Sequence, residues 1–576
     1  MLATLRNGAL CALWLAPAAA GQGVEALVVH RTRLPSHPEL SVEYIDPPVA
    51  TEAGGWAFRL HVLDSAEQPH ALIYGRADGE PGPILFKQGS YAHYKQLGWG
   101  ADVGLDGAGF GVYTAEVEYA QVGGPPLESL WIDDTPVLVE GDPIATMPGF
   151  VWRFAQRPAL TEAGMPTFLG SFDPVGAGVG GVGLFAGVVP VALYKPGDVV
   201  AGLPAPLVSG AAVSKEYDFS PSGDHHVVKL NVAGGPLGFG AYAVVDGAAY
   251  SVGGLVGKGE PVPSSLALVP GETWDTLDHT AVNDAGAVVL TGRTSESHFL
   301  LAEGPLASGP SRLVLLRDGA ALGGGWTSHG SLRGARLNNR GDVVAVWDVK
   351  DPAGGTRRVL VFNRHVILVV GDRLALDLDG DGVLEQGTLT AVWLGSELNP
   401  IAVDGQRNVY VRLQIDVLGT VDNSDDPLVA ARVAIPDVLA DVASISLSTG
   451  GVAELTLFGP TIFAGAAYSD DFPESYLLLG SLSGTEPGVL VDGLVLPLNF
   501  DAYTSFTLTS PNSAPLLGGV GQLDPDWGTG TATLRIAALP DPSLAGTIVS
   551  HAFVALDPVT GAVVFASDAA DIELTP

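Results

Sequence analysis

Arg336-Leu-Asn-Asn-Arg-Gly-Asp-Val-Val-Ala-Val346 is the stretch that decides the fold, because it recurs. It returns as Ala281-Val-Asn-Asp-Ala-Gly-Ala-Val-Val-Leu290, as Ala159-Leu-Thr-Glu-Ala-Gly-Met-Pro-Thr-Phe168 and as Gly104-Leu-Asp-Gly-Ala-Gly-Phe-Gly-Val-Tyr113. Looser copies are Val49-Ala-Thr-Glu-Ala-Gly-Gly-Trp-Ala-Phe58, Asp218-Phe-Ser-Pro-Ser-Gly-Asp-His-His-Val227 and Ala402-Val-Asp-Gly-Gln-Arg-Asn-Val-Tyr-Val411. The shared glycine stands at positions 54, 109, 164, 223, 286 and 341, and Arg407 replaces it in the seventh copy. The period is therefore about 55 to 65 residues, the length of one structural repeat.

Each copy has two halves. In the first, Asn, Asp, Thr or Ser followed by Gly makes a tight turn, since these residues tolerate or require positive φ. An alternating strand follows, as in Trp56-Ala-Phe-Arg-Leu-His-Val62. The second half is a hairpin such as Ala71 to Phe86, with Asp78-Gly79 as its turn. Further hairpins run from Ser129 to Asp142, over Arg312-Leu-Val-Leu-Leu-Arg-Asp-Gly319, and from Arg358 to Asp372.

Three to four strands per repeat match one antiparallel propeller blade, and no long segment keeps helical apolar periodicity. One such unit cannot bury both faces alone, whereas seven in a ring can. A string of separate sandwiches would need nearer 100 residues for each. The expected architecture is all-β: a seven-bladed β-propeller over about 24–435. An N-terminal strand from Val24-Glu-Ala-Leu-Val-Val29 is expected to close the ring by pairing with the last blade.

After Pro436 the repeat stops and lysine disappears. Short strand candidates crowd together, among them Glu454-Leu-Thr-Leu457, Tyr476 to Gly480, Phe506-Thr-Leu508, Thr531 to Ile536 and Ile548 to Leu556. Joined by Gly, Pro and Asn turns, they indicate a C-terminal β-sandwich over 437–576. The tandem turn-strand and hairpin units resemble uncharacterised exported bacterial propeller repeats. Tyr476-Leu-Leu-Leu-Gly-Ser-Leu-Ser-Gly-Thr485, Pro511-Asn-Ser-Ala-Pro-Leu-Leu-Gly518 and His551-Ala-Phe-Val-Ala-Leu-Asp557 resemble a C-terminal module attached to diverse exported bacterial proteins. The resemblance implies fold and compartment and carries no agreed activity.

Composition narrows the partners. With 576 residues the chain exceeds one ordinary core, and 47% hydrophobic with 16% charged residues excludes disorder. A formal charge of −35 argues against nucleic acid, which needs clustered Lys and Arg, and against an anionic membrane. Arg6, the apolar run Ala9 to Ala16 and Ala18-Ala-Ala20 form a signal-peptide pattern over 1–20, so a secreted or cell-surface protein is expected. The lone Cys11 lies inside that run, which leaves the mature chain without disulfides. No later stretch is long and apolar enough for a membrane helix.

The sharpest ligand motif is Asp377-Leu-Asp-Gly-Asp-Gly-Val-Leu-Glu385. Carboxylates at positions 1, 3, 5 and 9 and a glycine at position 6 suit calcium, with Asp377, Asp379, Asp381, the carbonyl of Val383 and Glu385 as ligands. Leu384 is expected to anchor the loop in the core. The loop departs from the EF-hand, since Thr388 stands where the bidentate Glu should be and no helices flank it; it resembles the hairpin calcium loops of integrin-type propellers. Asp422-Asn-Ser-Asp-Asp426 lacks the alternate spacing and reads as a solvated loop. His225 and His226 face opposite sides of a strand and read as blade residues. His279 and His329, with Asp275 or Asp278, could gather near one end of the channel.

Catalytic signatures are missing: there is no G-x-S-x-G elbow, no H-E-x-x-H helix and no sialidase Asp-box. Tryptophans such as Trp99, Trp131, Trp152, Trp274, Trp326, Trp347 and Trp393 read as blade packing before sugar platforms. The favoured function is non-catalytic binding of a protein or glycan by an exported, calcium-stiffened propeller, with a display, sorting or adhesion module behind it. The competing function is an enzyme acting on extracellular polysaccharide through channel carboxylates or histidines. A third possibility makes the tail a sorting signal, whose removal leaves the propeller folded.

Overall fold

The computed structural model describes residues 23–576 apart from internal stretches, of which the longest are 118–126, 393–400, 418–425 and 460–473. The signal-peptide pattern with Cys11, and Gly109, Trp99, Trp393 and Asp422 to Asp425, lie outside the described residues.

Among the described residues, seven antiparallel sheets of four to six strands follow one another along the chain, one for each copy of the repeat. Their inner strands are His37–Ala50, Gly104–Leu105, Phe150–Leu160, Val213–Phe219, Trp274–Val282, Trp326–Leu337 and the interrupted pair Glu385–Val392 and Ile401–Val403. Each sheet packs on the next, and Ile401–Val403 of the seventh packs on His37–Ala50 of the first. The ring is thus closed, and the architecture is a β-propeller. Gly23–Val29 pairs antiparallel with Leu428–Ala434, so the seventh sheet takes its outermost strand from the other end of the chain. That pairing removes an open sheet edge.

The apolar cores lie between neighbouring sheets. Val344, Val346, Leu360 and Phe362 of the sixth meet Leu389, Val411 and Leu413 of the seventh. Tryptophans serve this packing, with Trp56, Trp152, Trp274 and Trp347 all buried.

Each of the six described turns has an assigned duty at nearly every position. Thr51, Thr161, Ser220, Asn283, Asn338 and Asp404 open the turns. The carbonyl of each accepts a hydrogen bond from the N–H of residue 54, 164, 223, 286, 341 or 407. Their side chains accept from the N–H of Gly55, Met165, His225, Ala287, Asp342 and Asn408. Gly54, Gly164, Gly223, Gly286 and Gly341 take φ between 75° and 97° there, and Arg407 takes 64°. The turn chemistry read from the sequence is therefore local: one side chain caps the strand and one residue turns left-handed.

Past Pro436 the chain forms a four-stranded sheet containing Gly451–Phe458 and Thr529–Ile536, and a six-stranded sheet containing Ser475–Ser481, Ile548–Leu556 and Ala570–Thr575. Leu455 and Leu534 of the first share one apolar cluster with Leu478, Phe553 and Ile572 of the second. The expected strand at Phe506-Thr-Leu508 is instead part of a helix, Ala502–Thr509. Asp501 overrides the strand-like composition: its carboxylate accepts the N–H groups of Tyr503 and Thr504, and Thr504 returns a bond to the Asp501 N–H.

The seventh turn joins these parts. Arg407, fully buried, donates from Nε and Nη2 to Asp342 at 3.0 and 3.1 Å. Its Nη1 donates to Asp437 at 2.6 Å and to the carbonyl of Phe458 at 2.6 Å, and Nη2 reaches the carbonyl of Gly459 at 2.7 Å. Phe458 itself sits in the core of the sixth and seventh sheets, edge-on to Phe362 and His365.

Candidate functional site

Residues from all seven sheets line one cavity of about 190 Å³, for example Pro48, Leu105, Leu160, Phe219, Val282, Leu337 and Val403. It lies on the axis, and the turns form its floor. The Glu52 N–H of the first sheet donates to Glu162 of the third at 2.5 Å, while Glu52 Oε1 accepts the Asn339 N–H of the sixth at 2.9 Å. The Glu162 N–H donates to the Pro221 carbonyl, Ser222 to Asp284, and Asp284 to Asn339. The bonds of Glu52 to the third and sixth sheets, neither reached through a shared strand, bring these turn tips together over the axis. One end of the channel is therefore closed by a hydrogen-bonded belt.

Above the belt, Arg336 crosses the cavity. Its Nη1 reaches Asp218 of the fourth sheet at 3.3 Å and its Nε the Ile401 carbonyl of the seventh at 3.3 Å. Asp218 also accepts the Val282 N–H at 3.0 Å. Arg157 sits in a bulge of the third inner strand, where its φ of 51° breaks the strand alternation. The Tyr217 hydroxyl donates to the Arg157 carbonyl.

Burial sets the protonation of the acids. It pushes the Glu52 carboxyl up to about 8, with Glu162, Asp284 and Asp404 adding repulsion and the Asn339 N–H opposing. Burial also raises Asp218, against the pull of Arg336, the Val282 N–H and Arg157. The cavity lining thus carries two guanidiniums, Arg157 and Arg336, and three carboxyls, Glu52, Glu162 and Asp218.

None of these cavity residues was singled out as a site in the sequence. A signal existed in Thr-Glu-Ala-Gly, repeated at 51–54 and 161–164, which places Glu52 and Glu162 at equivalent turn positions. The histidines expected near the channel do not line the cavity: His279 and His329 are half-buried on their inner strands, and Asp275 pairs with Lys258 and Arg293. His226 is fully buried, bonded to Tyr194 at 2.9 Å and stacked on Phe219, and burial lowers it to about 3.

The calcium motif lies between strands Arg373–Leu376 and Glu385–Val392, at the start of the seventh sheet. Among the described residues, Asp377, Asp379 and Glu385 are the one group of three metal-ligating side chains that converge, with donor atoms within 4.8 Å of one another. Asp381, expected as a fourth carboxylate, is not in that group; it accepts the Val383 N–H at 2.7 Å. The Gly382 N–H, at φ 85°, donates to Asp377, and the Leu378 N–H to Glu385. Leu384 does not anchor the loop, since it and Val383 are exposed; the buried anchor is Leu378. The donor set fits a hard cation in charge and atom type. Of the second acidic stretch, Asp426 is buried and accepts the Thr390 hydroxyl.

No helix among the described residues is long and apolar enough to cross a membrane, which says nothing of a β-barrel. No family model matches the chain, and no curated relative matches it. Solved structures similar to it include a prolyl endopeptidase, at 10% identity over 80% of this chain with a TM-score of 0.34. The chain spans 59% of that endopeptidase's length. An α-L-arabinofuranosidase from Fusarium graminearum is similar at 11% identity, over 71% of this chain and 98% of its own, with a TM-score of 0.26. The WD40 domain of SCAP from fission yeast is similar at 10% identity, over 76% and 87% respectively, with a TM-score of 0.26. Likenesses this loose say nothing about activity.

Proposed function

We propose that this is an exported propeller that binds a glycan or protein ligand without transforming it, and that 437–576 is a sandwich module for display, sorting or adhesion. The observation that supports binding over catalysis is how the cavity's groups are already used. Glu52 holds the Asn339 N–H, and Asp218 holds the Val282 N–H and Arg336. The Thr51, Thr161 and Ser220 hydroxyls accept the N–H groups of their own turns. Among the described residues no histidine lines the cavity to activate them. A catalytic nucleophile needs a neighbouring base, and these hydroxyls are committed to structure.

Calcium belongs to the same proposal: Asp377, Asp379 and Glu385 would hold it, stiffening the loop that opens the seventh sheet. The alternative is a polysaccharide-degrading enzyme. It is favoured by the convergence of Glu52, Asp218 and Arg336 from three different sheets, with Glu52 kept protonated up to about 8 as a general acid would be.

The test incubates the purified mature chain, with calcium, against soluble and insoluble polysaccharides, reading bound protein and released sugar in the same tubes. Retention without product is the expected result. Released product would replace binding by hydrolysis. If neither occurs, the glycan is ruled out and a protein ligand is left.

A further inference from the structure

We propose that the axial cavity is a blind subsite for a single neutral sugar ring, a monosaccharide or the terminal residue of a chain, bracketed by Asp218 and Arg336. This inference rests on the glycan-binding reading above and narrows it to one site and one ligand class.

Three observations converge on it. The first is shape. Bonds from Glu52 to Glu162 and Asn339 close the floor, so a polymer cannot thread the ring and only an end can enter. A volume of about 190 Å³ falls below the roughly 300 Å³ at which pockets for drug-sized ligands begin, which leaves room for about one ring.

The second observation is charge. The chain carries −35, yet the cavity lining sets two guanidiniums, Arg157 and Arg336, against three carboxyls, of which burial holds Glu52 protonated up to about 8, so that cations and the remaining acids balance. A site for a uronate or a phosphate would show an excess of cations, and a site for an amine an excess of carboxylate. A balanced site suits hydroxyl groups, which both donate and accept. Asp218 offers acceptor oxygens and Arg336 donors, already aligned 3.3 Å apart by the pair they form.

The third observation is the wall. Pro47, Pro48 and Pro158 line the cavity among its polar groups. A lining that mixes apolar and polar groups suits a sugar ring, which presents both kinds of surface. The bracket is pre-formed, because Arg336 is tied to the Ile401 carbonyl and Asp218 to the Val282 N–H before any ligand arrives.

Isothermal titration and ligand-observed NMR on the full mature chain would test this with neutral hexoses, hexuronates, hexosamines and inorganic phosphate. Binding of a neutral hexose, at least tenfold tighter than the matching uronate or hexosamine, is expected. Asp218→Asn should weaken it tenfold or more. Because Asp218 also holds a backbone N–H, Arg336→Lys is the second variant: it keeps a cation opposite Asp218 but gives up the planar donor fork, and should weaken hexose binding tenfold or more while the melting temperature stays within a few degrees. Hexose binding unchanged in both variants would overturn the assignment, as would preference for a uronate, a hexosamine or phosphate. Polysaccharide retained without any monosaccharide binding would overturn the blind subsite and leave glycan binding standing. Absence of any glycan retention would bring down the reading beneath both.

Discussion

The turns at Asn338–Asp342 and Asp404–Asn408 share one hydrogen-bond pattern, yet the first closes on Gly341 at φ 79° and the second on Arg407 at φ 64°. In the sixth sheet a side chain of the turn caps it, and glycine accepts the left-handed backbone without steric cost. In the seventh, an arginine occupies that strained position, at a cost of about 1 kcal/mol. The offset comes from outside the turn, through Asp342, Asp437 and the carbonyls of Phe458 and Gly459. Burial alone would raise the Asp342 carboxyl, but Arg407 beside it holds it below its ordinary value. The difference teaches that departure from a repeat marks a junction. The seventh sheet also receives the N-terminal strand and carries the acidic loop, so three distant pieces of chain meet there.

The largest expected effect comes from removing residues 437–576. Asp437 and the Phe458 and Gly459 carbonyls would be lost from around a buried guanidinium, and Phe458 from the core it shares with Phe362. The truncated ring should lose near-ultraviolet circular dichroism or melt well below the full chain. An unchanged melt would restore the sequence-based expectation of an independent ring. Next is Arg407→Gly, which repairs the repeat. If the turn alone mattered it would stabilise; breaking a buried ion network instead predicts a loss of about 3–5 kcal/mol in urea unfolding.

A pH experiment separates the two ends of the comparison. Glu52 ionises near 8 in the folded chain against an ordinary 4.5, so the unfolded chain releases this proton first. Stability should fall as pH rises from 4.5 toward 8, and Glu52→Gln should flatten that fall. His365, packed on Phe458, is lowered by burial to about 4 from 6.5. There the unfolded chain takes up the proton first, so stability is lost as pH drops from 6.5 toward 4, and His365→Phe should reduce that loss. A smaller effect is expected at the acidic loop: chelation, or Asp379→Asn, should lower the melting temperature by a few degrees in calcium buffer. No change would remove calcium from the account of the seventh sheet. Smallest is Gly286→Ala, at φ 75°, which should cost about 1–2 kcal/mol with no effect beyond its own turn.

The repeat was legible because its information is local. A Thr, Ser, Asn or Asp that caps an N–H four or five residues away leaves a spacing anyone can read. Local signals misled where another local signal outranked them. Phe506 to Leu508 look like strand, yet Asp501 caps a helix over them; Leu384 looks like an anchor, yet Leu378 is the buried residue. The cavity was not legible, since Arg336 meets Asp218 across 118 positions and Glu52 meets Asn339 across 287. Arg407 was visible only as an exception. Its partners lie 65, 30 and 51 positions away, and two of them, Asp437 and Phe458, stand outside the repeat altogether.

The central claim, that Arg407 makes the ring and the C-terminal sheets one cooperative unit, is tested most directly by differential scanning calorimetry of the full chain beside Arg407→Gly. One transition in the parent, splitting into two or moving sharply down in the variant, is expected. Two separate transitions in the parent, with neither moved by the substitution, would contradict it.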